Sequence, residues 1–165
     1  MGKYKKIQVS VKILKNPLHF FALGFGTGLL TKAPGTMGTL VGVLIYILLP
    51  SNNLILYFAI IISFFIFGIF CCDYTGKYLD NHDHPSIVWD EIVGYLVTMV
   101  MVPRDWIWIL LGFVLFRAFD IIKPWPISLV DRKIQNGLGT MLDDFVAGIF
   151  SLIVIHVIIN LIEFI

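Results

Sequence analysis

Long apolar stretches alternate with short polar segments along this chain, and the length of each stretch decides what it can be. The clearest runs from Leu54 to Cys72 without a charge, close to the roughly 20 residues a helix needs to cross a bilayer's hydrocarbon core. A second, Phe145 to Ile165, is interrupted only by His156 and by Glu163 near its end. Met37 to Leu49 is shorter and is closed by Pro50-Ser51-Asn52-Asn53, a turn sequence. Ile92 to Val102 and Trp106 to Phe119 are shorter still and are joined by Pro103-Arg104-Asp105. They fit a helical hairpin that dips into a membrane or packs inside a bundle. Pro17 to Leu30 is apolar but glycine-rich, which suits a re-entrant or interfacial segment. The pattern predicts an all-α, compact multi-helical membrane bundle: about five apolar helices plus that N-terminal segment, in one domain over 1–165.

Composition strengthens the membrane reading. Of the 165 residues 58% are hydrophobic and 14% charged, with a mean hydropathy of +0.90. A soluble domain carries about a quarter charged residues. The net charge of +1 identifies no partner by itself; no nucleic-acid partner is expected, and the pattern sets no oligomeric state. Cys71 and Cys72 are adjacent, so they read as small buried hydrophobes and not as a disulfide or metal framework.

Basic residues give the sidedness. Lys3, Lys5, Lys6, Lys12 and Lys15 crowd the start, marking 1–16 as a cytoplasmic segment by the positive-inside rule. If Pro17 to Leu30 does not cross, every Lys and Arg except Arg104 falls on the cytoplasmic side. The same threading puts Asp90, Glu91, Asp120, Asp143 and Asp144 on that side too, although acids play no part in the rule.

Those five acids are the candidate chemistry. Carboxylates are costly beside lipid and usually face a cation, a metal or a cavity. Asp90-Glu91 should open a helix begun by Pro85-Ser86, and since successive helical residues diverge by about 100°, at least one of the pair faces protein. Arg117, Asp120 and Lys123 are spaced i,i+3 and can share a helix face. They read either as a salt-bridge ladder or as a metal-binding carboxylate between two phosphate-binding cations. Asp143-Asp144 directly precedes the last span. Gly24-Phe25-Gly26-Thr27-Gly28 and Thr31-Lys32-Ala33-Pro34-Gly35-Thr36 bring glycine backbone, hydroxyls and a cation of the kind that bind phosphate. Thr36 is placed to cap the Met37 helix and aim its N-terminus at an anion. Asp131-Arg132-Lys133 reads as an ordinary exposed charge group, and His156 as a bonded packing residue.

Together these segments resemble the phosphatidylglycerophosphatase A family. The resemblance rests on Gly26-Thr27-Gly28 with Lys32-Ala33-Pro34-Gly35-Thr36 and Gly38; on Trp89-Asp90-Glu91 with Gly94; on Arg117, Phe119-Asp120 and Lys123-Pro124-Trp125-Pro126; and on Gly139, Met141-Leu142-Asp143-Asp144 with Ala147-Gly148. Met37 stands where many members would carry an aromatic. The resemblance implies a Mg²⁺-dependent, all-helical enzyme of the bacterial cytoplasmic membrane, which hydrolyses the terminal phosphate of phosphatidylglycerophosphate to give phosphatidylglycerol. No phosphatase nucleophile signature is present, so direct attack by water is expected. Asp90, Glu91, Asp120 and Asp144 are the expected metal ligands; Thr27, Lys32, Thr36, Arg117 and Lys123 the expected phosphate contacts; and the five acids together the catalytic set. Three rivals are weaker, one of them a peripheral or partly soluble helical protein, which the short middle helices would also suit. A CDP-alcohol phosphotransferase needs an Asp-Gly-x₂-Ala-Arg arrangement that is missing, and an ion-coupled transporter expects acids near mid-membrane and on more than one face.

Overall fold

Asn16, Pro17 and three glycines shape the first part of the fold. The computed structural model describes residues 9–30, 32–50 and 53–163, so Lys3, Lys5 and Lys6 lie outside the described residues. Asn16 accepts the Leu18 N–H at 3.0 Å and Pro17 fills the first position of α1, Pro17–Ala22. The chain then breaks into a tight turn over Gly24–Leu29, with positive φ at Gly24, Phe25 and Gly26. Gly28 lies so close to the Ser86 carbonyl that no Cβ fits there. The Ala22 carbonyl accepts the Val88 N–H at 2.9 Å, and His19 meets Thr75 at 2.9 Å. This N-terminal segment is thus pinned to the loop before the Asp90 helix.

Among the described residues the remaining regular structure is a short 3₁₀ helix, Val11–Lys15, and the α-helices α2 (Pro34–Leu48), α3 (Leu54–Tyr78), α4 (Trp89–Thr98), α5 (Trp106–Ile122), α6 (Ile127–Lys133) and α7 (Gly137–Glu163), with no strand. The all-helical expectation holds, but the expected five membrane helices reduce to two. Among the described residues only α3 and α7 are long and apolar enough to cross a bilayer. At 1.5 Å per residue, α4 spans about 15 Å, half a hydrocarbon core.

Helix α4 is the centre of the bundle and not one of its outer walls. It packs most extensively on α7, then on α2 and α3, and all its residues are buried except the half-buried Glu91. A helix ending inside a bundle leaves carbonyls that need donors. Tyr57 of α3 donates to the Leu96 carbonyl at 2.7 Å and Tyr46 of α2 to that of Val102 at 3.1 Å. His156 of α7 lies 3.0 Å from the Val100 carbonyl, the bonded packing role expected of it. Close approach of α4 to α7 depends on glycine: a Cβ at Gly94 would strike the Phe116 ring and the Asp144 carbonyl.

Two helix starts differ from the sequence reading, with consequences for the site. Asn136 accepts the N–H groups of Leu138 and Gly139 at 3.0 and 3.2 Å, so α7 begins at Gly137 and Asp143-Asp144 lie within it, not before it. Pro34, with φ already suited to a first turn, starts α2 three residues earlier than expected. Thr36 is therefore inside the first turn and caps nothing.

Gly94→Val should wedge α4 from α7, costing about 1–3 kcal/mol. Thermal unfolding of the purified protein in detergent should show a lowered midpoint; an unchanged one would contradict the packing described.

Candidate active site: a buried carboxylate cluster

Three helices bring their acids to one place. Asp90 and Glu91 sit on the first turn of α4, Asp144 on the second turn of α7, and Asp120 near the end of α5. One carboxylate oxygen from each of Asp90, Glu91 and Asp144 lies within 4.8 Å of the others. Glu91 also feels the charge of Asp120. The two adjacent pairs are built alike. Asp90 Oδ1 accepts the Glu91 N–H at 3.1 Å, and Asp143 Oδ1 accepts the Asp144 N–H at 3.0 Å. In both pairs the first acid braces the backbone of the second.

Arg117 is the cation of this cluster. Its Nη1 lies 2.6 Å from Asp120 Oδ2, the expected i,i+3 pair, and 3.8 Å from Glu91 Oε1. One guanidinium cannot balance four carboxylates. Glu91 Oε2 and Asp144 Oδ2 are buried without a hydrogen bond, and Arg117 Nε and Nη1 donate no aligned one despite the short ion contact. Buried orphans on both signs of charge mark a site short of a partner. Burial pushes the Asp90 and Glu91 carboxyls well above the usual carboxylate range. Glu91 raises Asp90 further; around Glu91, Asp144 and Asp120 push upward while its contact with Asp90 and the Arg117 charge pull down.

The start of α2 covers this cluster. A Cβ at Gly35 would collide with the Glu91 carboxylate and would stand 3.0 Å from both terminal nitrogens of Arg117. The first turn of α2 therefore lies against the Glu91–Arg117 contact. Thr36 is half-buried in that turn, and Lys32 is exposed just before it and forms no ion pair among the described residues. Thr27 is not brought into this arrangement by any contact: its hydroxyl donates to the Gly24 carbonyl at 2.7 Å and shapes the turn.

Lys123 departs from the expected shared face with Arg117 and Asp120. Pro124 disfavours helix at the residue before it, so α5 ends at Ile122 and Lys123 turns left-handed at φ 44°. Its Nζ contacts Asp143 Oδ2 at 2.6 Å, Asp131 Oδ1 at 2.8 Å and Asp83 Oδ2 at 3.9 Å. Burial alone would lower this ammonium's proton affinity, but Asp143 and Asp131 outweigh it and the net direction is up. Asp131 is thus no ordinary exposed charge. Sequence reasoning missed it because its partner is set by the left-handed turn at Lys123 and not by helical spacing.

The phosphatidylglycerophosphatase A family profile matches residues 20–159. The chain belongs to that family. It is 44% identical over 147 residues to the phosphatidylglycerophosphatase A of Haemophilus influenzae, covering 88% of this chain and 90% of the relative. The Escherichia coli K12 protein of the same name is 40% identical over 152 residues, 92% of this chain and 88% of that one. A Bacteroides thetaiotaomicron relative, 37% identical over 81% of this chain and 88% of its own, carries the provisional name phosphatidylinositol-3-phosphatase. No solved structure matches the chain. All four segments that carried the sequence resemblance lie inside the matched region.

The cluster predicts a pH-dependent cost. A carboxyl raised in the folded state stabilises it at low pH, and that stability is lost as pH rises through the folded value. In chelator, Asp90→Asn should raise the thermal midpoint by a few degrees at pH 8, with little gain at pH 5. Equal effects at the two pH values would contradict the burial-raised carboxyl.

Proposed function

We propose that this protein is a lipid phosphatase that hydrolyses the terminal phosphate monoester of phosphatidylglycerophosphate, releasing phosphatidylglycerol and inorganic phosphate. The observation that carries the reading is the convergence of Asp90, Glu91 and Asp144 within 4.8 Å beside Arg117. Family membership supports the substrate.

The donor set fits a hard divalent cation such as Mg²⁺. It offers carboxylate oxygens alone, two of them buried and unbonded, and Mg²⁺ takes oxygen ligands at near-octahedral geometry. Asp90, Glu91 and Asp144 would hold it, with Asp120 beside them. Bound there, Mg²⁺ would act as a Lewis acid on phosphoryl oxygen and lower the proton affinity of water.

The protein's own groups supply the rest. Arg117, with two buried N–H groups free of aligned bonds, holds phosphoryl oxygens and offsets charge as the ester bond lengthens. The N–H groups at the start of α2 and the unpaired Lys32 complete the anion side. A cluster carboxylate takes the proton of the attacking water, the water oxygen bonds to phosphorus, and the P–O bond to the glycerol breaks. That glycerol oxygen leaves with the proton the carboxylate took from the water, which returns the carboxylate to its starting state. Lys123 is already matched to carboxylates, so the phosphate contact expected of it passes to Arg117 and Lys32.

A membrane setting follows from the same surface. Only 22% and 28% of the apolar windows of α3 and α7 are buried, whereas a soluble protein's core helix would be mostly covered. Ile55, Ile62, Ile66 and Phe70 on α3, and Ile153, Val157 and Leu161 on α7, are all more than half exposed. In water that surface is a liability; in lipid it is the natural face. With the cluster placed toward the cytoplasm, acyl chains would stay in the bilayer while the headgroup reaches the acids.

Purified protein should release phosphate from phosphatidylglycerophosphate faster than from phosphatidate or phosphatidylinositol 3-phosphate, and excess chelator should stop it. Asp90→Asn, Asp120→Asn and Asp144→Asn should each lower kcat at least a hundredfold in folded protein, the scale of losing a transition-state contact. Near-normal turnover in all three would remove the proposed centre.

A further inference from the structure

We propose that Lys123 is a positioning residue, acting through Asp143 on Asp144 and fastening α6 and the α3–α4 loop to the acid centre, and that it does not bind the substrate phosphate. The inference rests on the phosphatase reading above.

Charge is the first argument. Lys123 Nζ has Asp143 at 2.6 Å, Asp131 at 2.8 Å and Asp83 at 3.9 Å. An ammonium has three N–H donors and one positive charge. Two donors are taken by carboxylates, and three negative charges surround the one positive. A phosphate dianion arriving there would meet a surplus of negative charge, whereas Arg117 offers N–H groups without aligned partners.

The path inward is the second argument. Asp143 uses both oxygens, one for Lys123 at 2.6 Å and the other for the backbone N–H of Asp144 at 3.0 Å. Asp144 is the α7 contribution to the three-carboxylate cluster. Lys123 therefore fixes the rotamer of the acid that braces Asp144. The three carboxylates come from the α3–α4 loop, α6 and α7, so one ammonium joins three pieces of chain.

Backbone conformation is the third. Lys123 caps α5 at φ 44° and ψ 57°, a position usually filled by glycine. The left-handed turn carries its ammonium off the Arg117–Asp120 face and onto Asp143 and Asp131.

The test is a double-mutant cycle on Lys123→Met and Asp143→Asn, read as kcat and KM for phosphate release, together with hydrogen exchange in α6 without substrate. If Lys123 works through Asp143, each single variant loses kcat by about 10- to 100-fold, as removal of an orienting partner does. KM stays near wild type, the double variant is no worse than the worse single one, and α6 exchanges faster in Lys123→Met. Asp131→Asn, a milder change to a residue remote from the phosphate, lowers kcat in the same direction. Additive losses, a raised KM with kcat retained, or wild-type kinetics in Asp131→Asn would overturn the proposal. So would unchanged exchange in α6. Should the wild-type protein release no phosphate from this lipid, the phosphatase reading fails, and the exchange measurement still decides whether Lys123 is the fastener.

Discussion

Asp90, Glu91, Asp120 and Asp144 crowd around a single arginine in a bundle otherwise built from leucine, isoleucine and phenylalanine, and the rest of the fold is organised by that imbalance. Removing charge from water without a partner is expensive, and the cluster leaves buried oxygens on Glu91 and Asp144 without a hydrogen bond. Such a site weakens the protein unless a cation completes it. That trade of stability for readiness is common at catalytic centres, where strain is held because the surroundings over-determine it.

What over-determines it here is α4. The helix is too short to cross a bilayer, yet it carries two of the acids and is enclosed by α2, α3, α5 and α7. The carbonyl of Leu96 near its end, and those of Val100 and Val102 just after it, find partners in Tyr57, His156 and Tyr46, so backbone that leaves the helix inside the bundle is not left unbonded. At the other end, Gly35 and Gly94 remove the Cβ atoms that would hold α2 and α7 away from the acids. Polar side chains deep in the bundle and glycines at its active end are two halves of one solution. They make a scaffold that brings the acids of α4, α5 and α7 together.

Much of this was legible in the residues. Acids in apolar surroundings, the i,i+3 spacing of Arg117 and Asp120, and the bonded role of His156 all follow from local rules, and the structure places them accordingly. Features set by three-dimensional context were not legible. Apolar runs of similar character became a buried core helix in α4 and a lipid-grade helix in α3, because composition does not say which neighbours cover a segment. Asn136 capped α7 early enough to draw Asp143 and Asp144 inside it. Lys123 left its helical face because Pro124 follows it, and only that turn reveals Asp131 and Asp83 as its partners. The hydroxyl of Thr27 shapes its own turn and Thr36 lies in the first turn of α2 instead of capping it, which residue type alone does not reveal.

The central claim is that acids remote along the chain share one divalent cation, and locating that cation is its most direct test. Crystals grown with Mn²⁺, which substitutes for Mg²⁺ and scatters anomalously, should show a peak at coordination distance from Asp90, Glu91 and Asp144 together, absent from crystals of Asp144→Asn. A peak elsewhere, or none between those three carboxylates in the wild-type protein, would contradict the account.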